Sequence, residues 1–206
     1  MVFSMMKRVK TILLSLLCLF VLAIGTKLFM DRMKVDNLYR HGFQLYEEQI
    51  ATYLKEHYIG ISKIEFSPIF ISGGKGESFV NSRIVPVVYD IYGNKVYLRN
   101  DGVLDTAVPD YGTLAGLDLS FNVNDGSEII YLRNNERESV RSEVYQHLPE
   151  QLKLQKEEFT DEVMAAFSRE GHLKAVEKNS QGSPKMKIVY NLEIRRIDER
   201  ELDKWK

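Results

Sequence analysis

Twenty consecutive residues near the amino end, Thr11 to Met30 (TILLSLLCLFVLAIGTKLFM), carry a single charge, Lys27, and follow the cationic start Lys7, Arg8 and Lys10. That length matches the roughly 20 residues a helix needs to cross hydrocarbon, and the long stem of Lys27 lets its ammonium reach the headgroups. The pattern predicts a cationic cytoplasmic tail over 1–10, a transmembrane anchor or uncleaved signal over 11–30, and an extracytoplasmic domain over 31–206. Secretion after cleavage near Gly25 is the competing expectation, because Ala23-Ile24-Gly25 has the small-x-small form of a cleavage site. The return of apolar residues at Leu28, Phe29 and Met30 favours retention. Cys18 is not a lipidation site by its context, since Leu17 immediately upstream is not small, and it reads as a small hydrophobe inside the span. Counting Lys and Arg on the two sides does not orient the helix. A short cationic segment with no acid ahead of an apolar run is how export signals begin, which places the amino terminus in the cytoplasm and the domain outside.

Beyond the span the balance turns acidic. All 29 Asp and Glu lie at or after Asp31, against 24 of the 28 Lys and Arg, so this portion carries a net charge of −5. No basic patch suited to nucleic acid is visible. Cys18 is the only cysteine, which excludes a disulfide framework, a thiolate metal site and a cysteine nucleophile from the domain. About 170 residues remain, enough for one domain with a packed core.

The remaining pattern is that of an α+β fold. Leu38, Tyr39, Leu45, Tyr46, Ile50, Tyr53 and Leu54 recur at helical spacing, with Asp36 or Asn37 placed to cap and Gly60 to terminate a juxtamembrane helix. Arg40, Glu47, Glu48, Lys55 and Glu56 fall mostly off that stripe and are expected to face water. From Ile61 the period becomes two, with Ile64 and Phe66 inward, an interruption at Pro68, and Ile69 and Ile71 resuming. Ser72 to Ser78 is a loop. Two β-rich runs flank Gly93-Asn94, predicting a two-residue hairpin that pairs Tyr92 with Lys95 and Asp90 with Tyr97. Strands over Leu117–Val123 and Glu128–Leu132 follow, separated by the turn Asn124-Asp125-Gly126. Val140, Val144, Leu148 and Leu152, spaced by fours, predict a second helical segment from about Ser139, with Pro149 as a kink or a new start; Phe159, Val163, Met164 and Phe167 continue the stripe to Gly171. Alternation from Lys185 to Arg195 predicts a long carboxy-terminal strand. Overall the expectation is a juxtamembrane helix packed on an antiparallel β-meander, with a second helical segment before that strand.

Residues that carry chemistry are few. His41, His57, His147 and His172 have no metal-ligand spacing, so no metal and no cofactor is expected. Asn122, Asn124, Asp125 and Glu128 form a hairpin turn more naturally than a calcium loop. No serine sits in a nucleophile elbow, and no catalytic residue can be named. The predicted hairpin brings Asp90, Tyr92, Tyr97 and Arg99 to one tyrosine-rich face, the best candidate ligand-binding surface, since tyrosine couples large area to a polar handle.

The helix Glu47 to Tyr58, containing Tyr53-Leu54-Lys55, and the strand Ile64-Glu65-Phe66-Ser67 resemble the start of small uncharacterised membrane-tethered or lipoprotein-like proteins of Gram-positive bacteria. In those, a short anchor leads to a helix ending in a tyrosine-leucine-lysine motif and then to an antiparallel meander. The likeness spans Tyr46 to about Ile71, about an eighth of the chain. It stops at the missing lipobox and the extra helical region after Ser139. It implies a location and a topology and transfers no catalytic residue. The expectation is therefore a single-pass membrane protein whose outer domain binds an envelope protein or ligand without catalysis. A cell-surface hydrolase using carboxylates or His57, and an accessory subunit docked to a membrane complex, are the alternatives.

Overall fold

The computed structural model describes residues 2–73, 80–99, 110–113, 115–121, 128–133, 137–140 and 144–197. The tip of the Ser72–Ser78 loop, the Asn124-Asp125-Gly126 turn with the calcium-like side chains around it, and the charged end from Asp198 lie outside these residues. The chain divides into two compact units, residues 1–37 and 38–206. The fold is α+β: one long amino-terminal helix, then antiparallel and mixed sheets and a second short helix.

Helix α1 is one continuous element, Val2–His57. The expected start at Asp36 or Asn37 does not occur, because no glycine or proline lies between Gly25 and Gly42 to interrupt helical hydrogen bonding. In the first unit its apolar side chains from Ile12 to Met30 are exposed. The segment is long and apolar enough to cross a membrane.

In the second unit α1 is the central element. Leu38, Phe43, Leu45, Tyr46, Ile50, Ala51, Tyr53 and Leu54 are buried, and so are Glu47 and Gln49. The expectation that Glu47 faces water is therefore corrected: the side of the helix it occupies is covered by the chain around Asn191, whose N–H bonds its carboxyl. Arg40 and Glu56 do face solvent.

Strands β1 (Tyr58–Ile59), β2 (Ile61–Phe66), β3 (Ile69–Gly73), β4 (Val80–Ile84), β5 (Pro86–Asp90), β6 (Lys95–Tyr97) and β7 (Tyr111–Gly112) follow α1. Strands β8 (Leu117–Phe121), β9 (Glu128–Arg133) and β10 (Arg137–Val140) form an antiparallel meander. After a 3₁₀ turn at Glu150–Leu152 come α2 (Glu158–Arg169), β11 (Glu177–Lys178), β12 (Lys187–Val189) and β13 (Ile194–Arg196). Two mixed four-stranded sheets result, ordered β12-β2-β5-β6 and β13-β3-β4-β7. Strand by strand the second continues the first across a crease. Ser67 holds that crease, its hydroxyl accepting from Val85 N–H at 2.8 Å and donating to the Pro68 carbonyl at 2.8 Å. Pro68 lacks the N–H that an unbroken ladder needs, so β2 and β3 separate there.

That crease corrects the reading of the carboxy-terminal strand. β12 pairs parallel with β2 and β13 parallel with β3, and the chain between them leaves the ladder where β2 and β3 are themselves divided. Ile69 N–H reaches across to the Glu193 carbonyl at 2.8 Å, inside the gap.

The hairpin differs in register. Tyr89 pairs with Lys95, Val88 with Val96 and Val87 with Tyr97. The loop is three residues, Ile91-Tyr92-Gly93, closed by Gly93 N–H to the Asp90 carbonyl at 3.2 Å, with Gly93 at φ +87°. This is a type I turn followed by a left-handed glycine, which Asp at the first and Gly at the fourth position favour. The odd shift turns Val88 inward and leaves Ile91 and Tyr92 exposed.

Among the described residues the helix expected from Ser139 is absent over its first half: Val140 ends β10, and Val144 is exposed. Residues 145–152 instead lie along α1, whose side chains bind their backbone. His41 Nε2 meets the Tyr145 carbonyl at 2.5 Å, Gln44 donates to Gln146 O at 2.9 Å, and Glu48 accepts from Leu148 N–H at 2.6 Å. Gln49 donates to Leu152 O at 2.7 Å. Positions 41, 44, 48 and 49 share one face of α1, so the helix supplies the partners that the segment's own helix would have supplied. The stripe resumes in α2, where Val163, Met164 and Phe167 are buried.

Gly60 connects β1 to β2 at φ +80°, and a Cβ there would lie 1.8 Å from the Ala175 carbonyl oxygen. Gly60→Ala is expected to destabilise the domain by at least about 2 kcal/mol, from left-handed strain plus backbone displacement, whereas Gly93→Ala, with open space around it, costs only the strain. Urea unfolding of the full chain in detergent micelles checks the difference.

Candidate functional site

Between α1, the β7–β8 connection, the end of β9 and the start of α2 lies a cleft of about 470 Å³. Its floor is aromatic and aliphatic, from Tyr46, Ile50, Tyr53 and Tyr111, and Leu154 and the exposed Phe159 also line it. Gly116 admits the Tyr46 ring, since a Cβ there would come within 2.5 Å of its hydroxyl. Burial raises the Tyr46 and Tyr111 hydroxyls well above the ordinary phenol range, so both stay neutral. Tyr111 shares its hydroxyl with Thr160 Oγ1 at 3.1 Å.

The acids on the wall are engaged. Asp110 pairs with Arg83 at 3.4 Å, Glu158 with Lys156 at 2.6 Å, and Glu157 caps α2 by accepting from Thr160 N–H at 2.5 Å. Tyr53 is saturated. It donates to Asp161 Oδ1 at 2.7 Å and accepts from Glu157 N–H at 3.1 Å and Lys178 Nζ at 3.2 Å. Asp161 also receives Tyr58 OH at 2.6 Å and Lys178 Nζ at 2.5 Å, a knot joining α1, β1, α2 and β11. Burial pushes the Asp161 carboxyl up, but Lys178, Tyr53 and Tyr58 together hold it below the usual range.

The four residues expected to share a binding face differ in their surroundings. Asp90 is buried and receives four donors: the N–H groups of Tyr92, Asn94 and Lys174 and the Asn94 side-chain amide, at 2.7–2.9 Å. Burial raises its carboxyl, and those donors outweigh burial and hold it low. Tyr92 projects from the hairpin tip, Tyr97 lies in β6, and Arg99 follows β6, half-buried. The tyrosine-rich outer face of this sheet is built instead on Tyr89 and Tyr97. Lys63 Nζ stands 3.6 Å from the Tyr89 ring centre and 2.6 Å from Glu65, and Lys95 donates to Tyr97 OH at 2.8 Å. His57 stacks on Tyr53 at 4.6 Å, and its Nδ1 meets the Tyr53 carbonyl at 3.0 Å.

Sequence reasoning placed Tyr46 and Tyr53 on the apolar stripe and passed over Tyr111, Arg133 and Thr160. The usable signal was the density of tyrosine on one helix, Tyr39, Tyr46 and Tyr53 at seven-residue intervals, which places phenols along one face. Comparison with protein-family models, curated proteins and solved structures finds no match to this chain.

Glu47 is the other unusual group. It is fully buried, one oxygen accepts from Asn191 N–H at 3.1 Å, and the other has no partner among the described residues. Burial pushes its carboxyl up to about 9, the Asn191 bond opposes that, and neighbouring Glu48 adds to it. The folded protein therefore keeps a proton that the unfolded chain releases above about 4.5. Between these values stability falls as pH rises, by up to about 1.4 kcal/mol per unit, and levels off above the folded value. Glu47→Gln, neutral at every pH, is expected to remove this fall; denaturation at pH 5, 7 and 9 for both proteins measures it.

Proposed function

We propose that the protein is a single-pass membrane protein whose outer domain is a non-enzymatic binding module of the cell envelope. The observation that carries this reading is the uncovered stretch of α1. Thirteen large apolar side chains between Ile12 and Met30 are 45–65% exposed. Burying each is worth about 1.5–3 kcal/mol, so leaving them in water costs on the order of 20–40 kcal/mol, more than a domain's whole stability. A lipid bilayer relieves that cost. Retention is favoured over cleavage near Gly25 because α1 runs unbroken through Ala23-Ile24-Gly25, and peptidases act on extended chain. The cationic start before the span supports an outward domain. The likeness of Tyr46–Ile71 to tethered envelope domains points the same way.

Binding is the activity that the cleft supports best. Its phenols are held neutral by burial, and its carboxylates are tied to cations or to a helix end. Such groups donate and accept hydrogen bonds around an apolar floor, which is the usual composition of a ligand site.

With Cys18→Ala as background, Tyr92→Cys places a thiol on the exposed hairpin tip. A membrane-impermeant maleimide is expected to label it in intact cells, with the full-length protein in the membrane fraction. Labelling only after lysis contradicts the topology, and a shortened protein in the medium contradicts the anchor.

A further inference from the structure

We infer that the Tyr46–Tyr111–Arg133 cleft is built for a small carboxylate with an apolar body, an inference that rests on the binding reading above and names its ligand class. Consider which groups around the cleft still lack a partner. Asp110, Glu157 and Glu158 are each engaged by a cation or by a backbone N–H. Lys156 is held by Glu158, and the Tyr53 hydroxyl is filled by three partners. Gln49 donates to the Leu152 carbonyl, and Tyr111 and Thr160 bond each other, so two donors remain. Tyr46 is only 6% exposed, yet its hydroxyl lines the cleft without a hydrogen-bond partner among the described residues. Arg133, exposed at the end of β9, has no acidic partner among those residues.

A neutral hydroxyl that opens onto the cleft offers a donor, and a guanidinium fork lining the same cleft matches a carboxylate in two-point geometry. The rest of the ligand meets Ile50, Leu154, Phe159 and the face of Tyr111, so its body is apolar. The charge of the head is bounded as well. Three carboxylates stand on the same wall, and they repel a dianion such as phosphate more strongly than a monoanion. An ammonium ligand finds no uncommitted acid and faces Arg133.

The test uses the full chain in detergent micelles, with empty micelles as the blank, and four matched probes: 3-phenylpropionate, its neutral amide, 3-phenylpropylamine and phenyl phosphate. Titration calorimetry and ligand-observed NMR are expected to give saturable binding of the carboxylate at a Kd of about 1 mM, as suits a fragment of this size, and binding at least about tenfold weaker for the other three. Arg133→Gln is expected to weaken the carboxylate about tenfold and Tyr46→Phe several-fold, with thermal unfolding midpoints unchanged for Arg133→Gln because its side chain is exposed. Equal or tighter binding of the amide, the amine or the phosphate overturns the assigned class while leaving a binding module in place. No saturable binding by any probe, or carboxylate binding indifferent to Arg133→Gln, overturns the inference itself; the membrane topology is then judged separately by the thiol labelling.

Discussion

A helix that carries glutamates, glutamines and a histidine can be buried on nearly all sides only if something else in the chain needs those polar groups. That constraint organises the folded unit. Between Leu38 and His57, α1 supplies the core with Phe43, Leu45, Ile50 and Leu54, and hands its polar side chains to segments with little regular secondary structure of their own. His41, Gln44, Glu48 and Gln49 serve the backbone of residues 145–152, and Glu47 takes the N–H of Asn191 between β12 and β13. Each bond is worth only about 1 kcal/mol net, but a buried donor left without its acceptor costs more, so the pairing fixes where those segments lie.

The same economy of partners separates structure from site. Asp90 and Asp161 look reactive in isolation, yet each is filled by donors from the chain and acts as a clamp. What is left over, a tyrosine hydroxyl and an arginine lining an apolar cleft, are the donors to which the inferred carboxylate is assigned. Glu47 is an exception of another kind: its second oxygen is sealed away from solvent and from the cleft, and its consequence is a pH-dependent stability.

The legible parts of the sequence were those in which local pattern and tertiary environment agree. The apolar run, the strands at Ile61–Phe66 and Glu128–Leu132, Gly171 at the end of α2 and the α2 stripe all follow from spacing alone, whereas Gly60, placed by its spacing to end α1, turns the chain from β1 into β2 instead. The errors share a cause. Val140, Val144, Leu148 and Leu152 have helical spacing, but the partners offered by α1 outcompete an internal helix. Alternation from Lys185 to Arg195 is real, but the strand breaks because β2 and β3 do, at Pro68. Its place off the apolar stripe points Glu47 to water, but the segment between β12 and β13 covers that side of the helix. The hairpin was misread for a local reason, since Asp90-x-x-Gly93 outranks Gly93-Asn94 as a turn signal and moves the register by three.

Hydrogen exchange of the native full chain in micelles tests the central role of α1 most directly. If the helix is the element on which the others depend, the amides of residues 43–54 exchange only by global unfolding, with the same opening free energy as the slowest strands of β2 and β5, and no denaturant concentration exposes them earlier. Faster, denaturant-independent exchange of those helical amides while β2 and β5 stay protected would show that the sheets stand without it, and would contradict this account.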